Sequence, residues 1–191
     1  MLTSPSAKPC IHCGKDFTPK YSAMQVACSL RCAASHAKKQ RLAKEKVERE
    51  TTKKRKEAVK RLPQIKAEAQ AEFNKWVRAR DREQPCISCG APPPNLATFH
   101  AGRDAGHYRS VGSAAHLRFN EANCHAQCVH CNQHLSGNHV SYRAGLLARI
   151  GPDAVAALEV NNEVRKFSRE ELIAIKHEYR QKLKELQKEN A

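Results

Sequence analysis

Two short stretches decide the fold of this chain: CISCG at residues 86–90 and QCVHCNQHLSGN at residues 127–138. Together they give the spacing C-x2-C-x38-C-x2-C. A Cys-x2-Cys turn brings two thiolates to one side of the backbone, and two such turns complete the tetrahedral site that zinc prefers. We therefore predict a structural zinc site formed by Cys86, Cys89, Cys128 and Cys131. Redox chemistry is the weaker alternative, because no thioredoxin-like βαβ pattern surrounds these cysteines.

Another quartet, the first in chain order, lies near the N-terminus with the spacing C-x2-C-x14-C-x3-C, so the quartet that begins at Cys86 is called the second. It predicts a second zinc site in a ribbon-like or knuckle-like module, formed by Cys10, Cys13, Cys28 and Cys32. This module could contact DNA through Lys15, Lys20 and Arg31, or it could be only a folding staple. The N-terminus lacks an apolar core of signal-peptide length, so nine cysteines indicate metal binding rather than disulfides. The ninth, Cys124, is predicted to be buried or incidental.

The segment between Cys89 and Cys128 is rich in proline, glycine and histidine and poor in helix signals. A closed four-cysteine zinc site does no chemistry itself, so any activity would come from the side chains in this segment. Three features fall there or just after it: the string DAGH with Asp104 and His107, then Asn123, and Asn132 directly after the last cysteine.

This set resembles the HNH, or ββα-metal, nuclease motif. In that family a β-hairpin carries a metal ligand and then a general-base histidine, an asparagine braces the hairpin, and a helix supplies the last ligand. The resemblance implies that His107 is the base, Asn123 the brace and Asn132 the helix-borne ligand. It implies Asp104 as the hairpin ligand, although the family places that ligand directly before the base. This chain has Gly106 there, and a β-bulge at Gly106 would restore the geometry.

The implied chemistry is metal-assisted phosphodiester hydrolysis. Mg²⁺ or Mn²⁺ prefers oxygen ligands such as those of Asp104 and Asn132, and it would stabilise the leaving 3′ oxygen. His107 would accept a proton from the attacking water, because histidine titrates near neutral pH. His107 has two alternative roles, as a zinc ligand or as a structural loop histidine. Other histidines of the segment are interpreted as structural or DNA-facing, with His134 as a neighbour of the metal site.

Longer strings resemble the NinG (Rap) family of phage recombination proteins, from about residue 74 to the C-terminus. They are RDREQPCISCG, DAGHYR, LRFNE, QCVHCNQHLSGN and IKHEYRQKLKEL. The resemblance implies a structure-specific endonuclease that cleaves Holliday junctions and D-loops beside the phage's strand-annealing proteins. The sequence shows neither a signal peptide nor an apolar run long enough to span a membrane, which predicts a location in the cytoplasm of the bacterial host.

The remaining sequence predicts helices. Residues 33–62 are almost all strong helix formers without a sustained heptad, which predicts a long solvated helix or a frayed one, interrupted by Pro63, and not a coiled coil. A second helix over 64–82 has an apolar face with Phe73, Trp76 and Val77. Two short helices follow the second zinc motif, and the last helix begins at a capping box of Ser168 and Glu171.

The net charge of +15 favours a polyanionic partner bound through its phosphates. The candidate DNA contacts, each of which could equally be a solvated surface cation, are Lys53, Lys54, Arg55, Lys56, Arg103, Arg109 and Arg118. Aromatic residues form only 5% of the chain, which argues against an extended stacking platform for single strands.

The predicted fold class is a small zinc-stabilised α+β protein with four regions. They are an N-terminal zinc module (1–32), a basic helical linker (33–82), an HNH-like core (83–140) and a C-terminal helical region (141–191). The predicted function is a metal-dependent endonuclease for branched DNA, either monomeric or homodimeric and without membrane association. The alternatives are a non-catalytic zinc-dependent DNA-binding accessory protein and an HNH nuclease that cuts ordinary duplex.

Overall fold

The computed structural model describes residues 6–93 and 102–189 of the chain. They divide into two compact units, Met1–Lys60 and Arg61–Ala191. Both helices and strands are present, which confirms the mixed α+β class. Within the described ranges, no helix combines the length and the apolarity needed to cross a membrane.

The first unit begins with a minimal antiparallel pair, β1 (Lys8–Pro9) and β2 (Asp16–Phe17). It continues into α1 (Leu30–Ala58), whose N-cap Ser29 accepts a hydrogen bond from the backbone N–H of Cys32. All 29 residues of α1 are described, and none is buried. The predicted long solvated helix is therefore confirmed. Helix propensity, and not packing within this unit, accounts for it.

The second unit opens with α2 (Leu62–Arg80), which starts slightly earlier than predicted. Pro63 lies in its first turn, where a missing N–H leaves no helical hydrogen bond unmade. The apolar face of α2 packs against α5 (Arg169–Glu189), and the aromatic ring of Phe73 meets that of Tyr179 edge-on at 4.8 Å. Trp76 is only 7% exposed, so its predicted place in the core is confirmed.

The predicted capping box at the start of α5 is present. The backbone N–H of Glu171 donates to Ser168 Oγ at 3.1 Å, and the Ser168 N–H donates to Glu171 Oε2 at 2.7 Å. These two bonds satisfy groups that the first turn of a helix leaves unpaired.

Between α2 and α5 lies a hairpin of β3 (Arg103–His107) and β4 (Cys124–Cys128). A π-helical turn (His130–His134), α3 (His139–Ile150) and α4 (Pro152–Val160) follow. The loop between the strands contains two 3₁₀ turns, Ala115–Leu117 and Glu121–Asn123.

A second apolar cluster joins α3 and α4 to the CISC turn through Ile87, Tyr142 and Leu146. The approach is close: a Cβ on Gly145 would lie 1.8 Å from the carbonyl oxygen of Ile87. Only glycine fits this position of α3, so the helix and the second zinc motif form one packed structure.

Candidate functional site

The second cysteine quartet is gathered at the base of the hairpin. The Sγ atoms of Cys86, Cys89, Cys128 and Cys131 all lie within 4.8 Å of one another. A tetrahedron with Zn–S bonds of about 2.3 Å has sulfur atoms about 3.8 Å apart. The Cys89 and Cys128 sulfurs are 3.8 Å apart, which matches the spacing of two zinc-bound thiolates.

The N–H groups around this quartet favour a thiolate at Cys86, whereas burial raises the pKa of Cys128 to about 12. The Cys128 backbone N–H donates to Cys86 Sγ at 3.3 Å, and the Asn138 side-chain amide donates to Cys131 Sγ at 3.5 Å. Burial raises the pKa of Cys86, but the backbone amides of Cys128 and Cys89 outweigh it and lower the pKa to about 7. These donors favour the charged thiolate that binds metal.

The first quartet forms a similar cluster, and its four Sγ atoms also lie within 4.8 Å of one another. The Cys13 and Cys28 sulfurs are 3.7 Å apart, and those of Cys28 and Cys32 are 3.5 Å apart. Backbone amides of Cys13 and Cys28 lower the pKa of Cys10 to about 6. Both predicted quartets therefore assemble into clusters that could hold structural zinc.

Asp104 and Asn132, the two predicted ligands of a catalytic cation, lie side by side. The Asn132 side-chain amide donates to Asp104 Oδ2 at 2.8 Å. The neighbouring Gln133 amide donates to the same oxygen at 2.8 Å. The hairpin supplies the carboxylate and the turn that carries Cys131 supplies both amides, so the zinc motif positions this contact.

His107, the predicted base, ends β3. Its Nε2 donates to the carbonyl oxygen of Arg118 at 2.9 Å, and its Nδ1 lies 3.8 Å from Cys124 Sγ. Because a carbonyl only accepts, the neutral ring carries its proton on Nε2 and leaves Nδ1 as the basic nitrogen. Burial lowers the pKa of His107, which keeps the ring neutral at pH 7.

Asn123, the predicted brace, is fully buried between the ends of the loop that joins β3 and β4. Its Oδ1 accepts from the Arg109 backbone N–H at 2.8 Å. Its Nδ2 donates to the carbonyl oxygens of Arg109 at 3.0 Å and Leu117 at 3.3 Å. One side chain thus ties the loop to the strand end that carries His107.

The predicted β-bulge at Gly106 is wrong. The register runs without interruption from Arg103 opposite Cys128 to His107 opposite Cys124. In a regular strand, residues three apart point to opposite faces and lie about 10 Å apart along the chain. Asp104 therefore shares a face with Gly106, and His107 lies on the other face.

Gly106 has a different role from the one expected. A Cβ there would lie 2.2 Å from Gln127 Oε1, so the glycine makes room for a buried side chain of the neighbouring strand. The Gly106 carbonyl also accepts from the Tyr142 hydroxyl at 2.8 Å. The close approach of Gln127 and the bond from Tyr142 both fit the regular pairing of β3 at the point where the bulge was expected.

The seven predicted DNA contacts fall into two kinds. Arg103 donates to the carbonyl oxygens of Gln84 and Ala91, and Arg109 donates to those of Leu158 and Asn161. These two guanidinium groups are thus engaged in holding the fold. Arg118 donates to Gln70 Oε1 at 3.1 Å. Four contiguous cations on α1 are all exposed: Lys53, Lys54, Arg55 and Lys56.

Sequence reasoning missed Arg78 of α2. Its Nε is buried and has no hydrogen-bond partner among the described residues. Burial lowers the pKa of Arg78, and the nearby charge of Asp104 opposes that effect. No local motif marks this residue, since helix packing across many residues of sequence brings it near the hairpin.

Comparison with known proteins settles the family. The family model described as Bacteriophage Lambda NinG protein matches residues 2–189. This chain belongs to the NinG family. Protein ninG of Enterobacteria phage H19B is 36% identical over 204 residues, covering 97% of this chain and 96% of that protein. No solved structure matches the chain.

A second relative aligns over a shorter stretch. Protein ninG of Escherichia phage lambda is 51% identical over 119 residues, which are 62% of this chain and 55% of the lambda protein. The aligned part thus spans about half the length of that relative. Family membership confirms the NinG resemblance drawn from the sequence strings.

Proposed function

We propose that this chain is a metal-dependent HNH-type endonuclease that cleaves branched DNA, such as Holliday junctions and D-loops, in phage homologous recombination. The observation that carries the proposal is the 2.8 Å contact between Asp104 and Asn132, where the hairpin meets the turn that holds Cys131. A purely structural zinc module needs the cysteines but has no need of this pair.

Asp104 and Asn132 would hold Mg²⁺ or Mn²⁺ through oxygen atoms. The Asn132 carboxamide presents its nitrogen to Asp104, and a half-turn of that group presents its oxygen instead. When bound, the cation would polarise the scissile phosphate and stabilise the leaving 3′ oxygen. Arg78 brings a cation close to the same carboxylate, which suits a phosphate group between them.

His107 would accept the proton of the attacking water at Nδ1, once the ring turns this nitrogen away from the buried Cys124 thiol that it faces at 3.8 Å. Its Nε2 bond to the Arg118 carbonyl fixes the tautomer, and the lowered pKa keeps the ring neutral. In-line displacement places the attacking and leaving oxygens on opposite sides of phosphorus. His107 lies on one face of β3, and the metal ligands Asp104 and Asn132 lie on the other. A phosphate at the edge of β3 that does not pair with β4 would have the base on one side and the cation on the other, as this reaction requires.

The high positive charge supports binding to DNA through phosphates, without reading of bases. The preference for branched DNA rests on the resemblance to phage recombination proteins. Symmetric cuts at a junction need two active sites, so we also propose a homodimer on DNA. The strand-annealing proteins of the phage are the proposed protein partners.

The test is cleavage of a synthetic four-way junction and of a linear duplex, with Mg²⁺ or Mn²⁺. His107→Ala should reduce cleavage by roughly 100-fold or more, as removal of a general base does. His116→Ala is the matched control, because His116 Nε2 also bonds a backbone carbonyl, that of Asn161 at 3.0 Å. A wild type that binds both DNAs and cuts neither contradicts the enzyme proposal, and equal cutting of both contradicts the junction preference.

The second candidate function is a non-catalytic, zinc-dependent DNA-binding accessory protein. The regular β3 register favours it, because that register places Asp104 and His107 on opposite faces of the strand. In this case Asp104→Asn and His107→Ala would leave all DNA-dependent behaviour unchanged, while cysteine substitutions would abolish it.

A further inference from the structure

The first zinc module carries a short loop, Lys20–Gln25, whose shape is fixed from within. The backbone N–H groups of Lys20 and Tyr21 donate to Gln25 Oε1 at 3.0 Å and 3.3 Å. The Met24 N–H donates to Ser22 Oγ at 3.2 Å. From outside the loop, Lys8 Nζ donates to the Ala23 carbonyl oxygen at 2.5 Å. The Gln25 backbone N–H also donates to the Ser22 carbonyl oxygen at 2.9 Å, so a network of hydrogen bonds organises the loop.

This organised loop exposes its two large apolar side chains. Tyr21 is 89% exposed and Met24 is 85% exposed. Within the same module, Cys10 and Ala27 are 3% and 4% exposed, so the zinc-binding fold has a buried interior that these two side chains do not join. An aromatic ring and a thioether three residues apart on a fixed loop are available to a ligand without any change in the packing of the unit itself.

The charge of the module identifies the class of ligand. Residues 6–32 contain four basic side chains, Lys8, Lys15, Lys20 and Arg31, and one acidic side chain, Asp16. Two of these cations adjoin the apolar tip, since Lys20 belongs to the loop and the Lys8 ammonium donates to its Ala23 carbonyl. A nucleic acid with accessible bases offers the complement, since each base has a stacking face and each is flanked by phosphates.

We propose that the Lys20–Gln25 loop binds unpaired nucleobases at the branch point of DNA, with the Tyr21 ring stacked on one base and Met24 packed beside it. Fully paired duplex hides these faces within its stack, whereas a branch or a gap exposes them. A single exposed ring suits one base step rather than a long single strand. The inference rests on the proposed function in that DNA is the partner, but it requires no cleavage.

The experiment measures DNA affinity with the full-length, zinc-loaded chain carrying His107→Ala, so that binding is separated from cutting. The probes are a gapped duplex and a linear duplex of equal length, with 2-aminopurine beside the gap or at the matching position. Tyr21→Ala and Met24→Ala are compared with Tyr21→Phe, which keeps the ring, and with Val164→Ala. Val164 is the matched control, because it is an apolar side chain outside the module that is 94% exposed.

Tyr21→Ala should weaken binding to the gapped DNA roughly 10-fold, as loss of one base–aromatic stack does, and should remove the change in 2-aminopurine fluorescence. Tyr21→Phe and Val164→Ala should bind gapped DNA with the affinity of the parent. All of the variants should bind the linear duplex with equal affinity. Met24→Ala should give a smaller loss on gapped DNA only. Zinc content equal to that of the parent shows that the module remains folded.

Unchanged affinity of both alanine variants for gapped DNA would overturn the proposal, and so would equal losses on both DNAs. A changed oligomeric state with unchanged DNA binding would also overturn it, since the loop would then bind protein. If Tyr21→Ala weakens binding to gapped DNA but the wild type cuts no DNA, the endonuclease proposal is contradicted and the loop proposal is supported. A cutting wild type with an indifferent loop would give the reverse result.

Discussion

The two four-cysteine modules begin with nearly the same turn, CIHC at 10–13 and CISC at 86–89, yet the isoleucines within them have opposite environments. Ile11 is 52% exposed, whereas Ile87 is 3% exposed and packs against Tyr142 and Leu146. The same motif therefore occurs in two different packing environments. The first module consists of the cysteine cluster and the loops around it. The second cysteine cluster packs against a hydrophobic core through Ile87.

Metal loss should expose this difference most strongly, because binding energies of structural zinc are on the order of 10 kcal/mol. Cys32→Ser should release one zinc and unfold only the first module. Cys131→Ser should release the other and loosen the hairpin, α3 and α4 together. Zinc analysis with hydrogen exchange measures both effects. A Cys131→Ser protein whose hairpin amides stay protected would contradict the view that the second cluster is part of the core.

The next largest effect should come from Asp81, a charge buried near the second cluster. Its carboxylate is 4% exposed, accepts the Ala126 N–H at 2.8 Å and pairs with Arg80 at 2.7 Å. Burial raises the pKa of Asp81, but His125 and Arg80 outweigh it and hold the pKa well below its usual range. Asp81→Asn breaks this largely buried ion pair, while Arg80 keeps its bonds to the carbonyl oxygens of Glu121 and Cys124, and the change should cost about 3 kcal/mol of unfolding free energy.

The pH dependence gives a second measurement of the same group. Since the folded pKa of Asp81 is depressed, the unfolded state binds more protons in acid. The stabilisation is fully present above the unfolded pKa of about 3.9 and is lost as the pH falls below it. Urea titrations from pH 6 to pH 3 should show this loss in the wild type and less of it in Asp81→Asn. Identical pH profiles would contradict the role of Asp81.

The isoleucine pair gives a matched test of smaller size. Ile87→Ala removes a buried side chain beside Gly145 and should cost about 2–5 kcal/mol. Ile11→Ala removes an exposed one and should change stability by less than about 0.5 kcal/mol. Urea unfolding with zinc in excess measures both. Equal costs would show that the two modules do not differ in the way that their burial indicates.

The sequence predicted what local chemistry determines. Each Cys-x2-Cys pair, the capping box at Ser168 and the apolar face of α2 depend on residues that are close in sequence, and two such cysteine pairs recognise each other by the four ligands that zinc requires. The role of Gly106 was missed because it depends on Gln127, on the neighbouring strand. The engagement of Arg103 and Arg109 was missed for the same reason, because their partners are carbonyl groups that only the folded chain brings near.

The final prediction concerns single charges and has the smallest expected effect. Lys53 is exposed on α1, whereas the Arg109 guanidinium is bonded to carbonyls at the end of α4. If the exposed cations bind phosphates, Lys53→Gln should lower the slope of log affinity against log salt by about 1, with unchanged stability. Arg109→Gln should leave that slope unchanged and destabilise the second unit. Salt titrations of DNA binding beside urea unfolding separate the two. A salt slope that changes with Arg109→Gln and not with Lys53→Gln would contradict DNA binding by α1 and would indicate that the second unit binds the DNA.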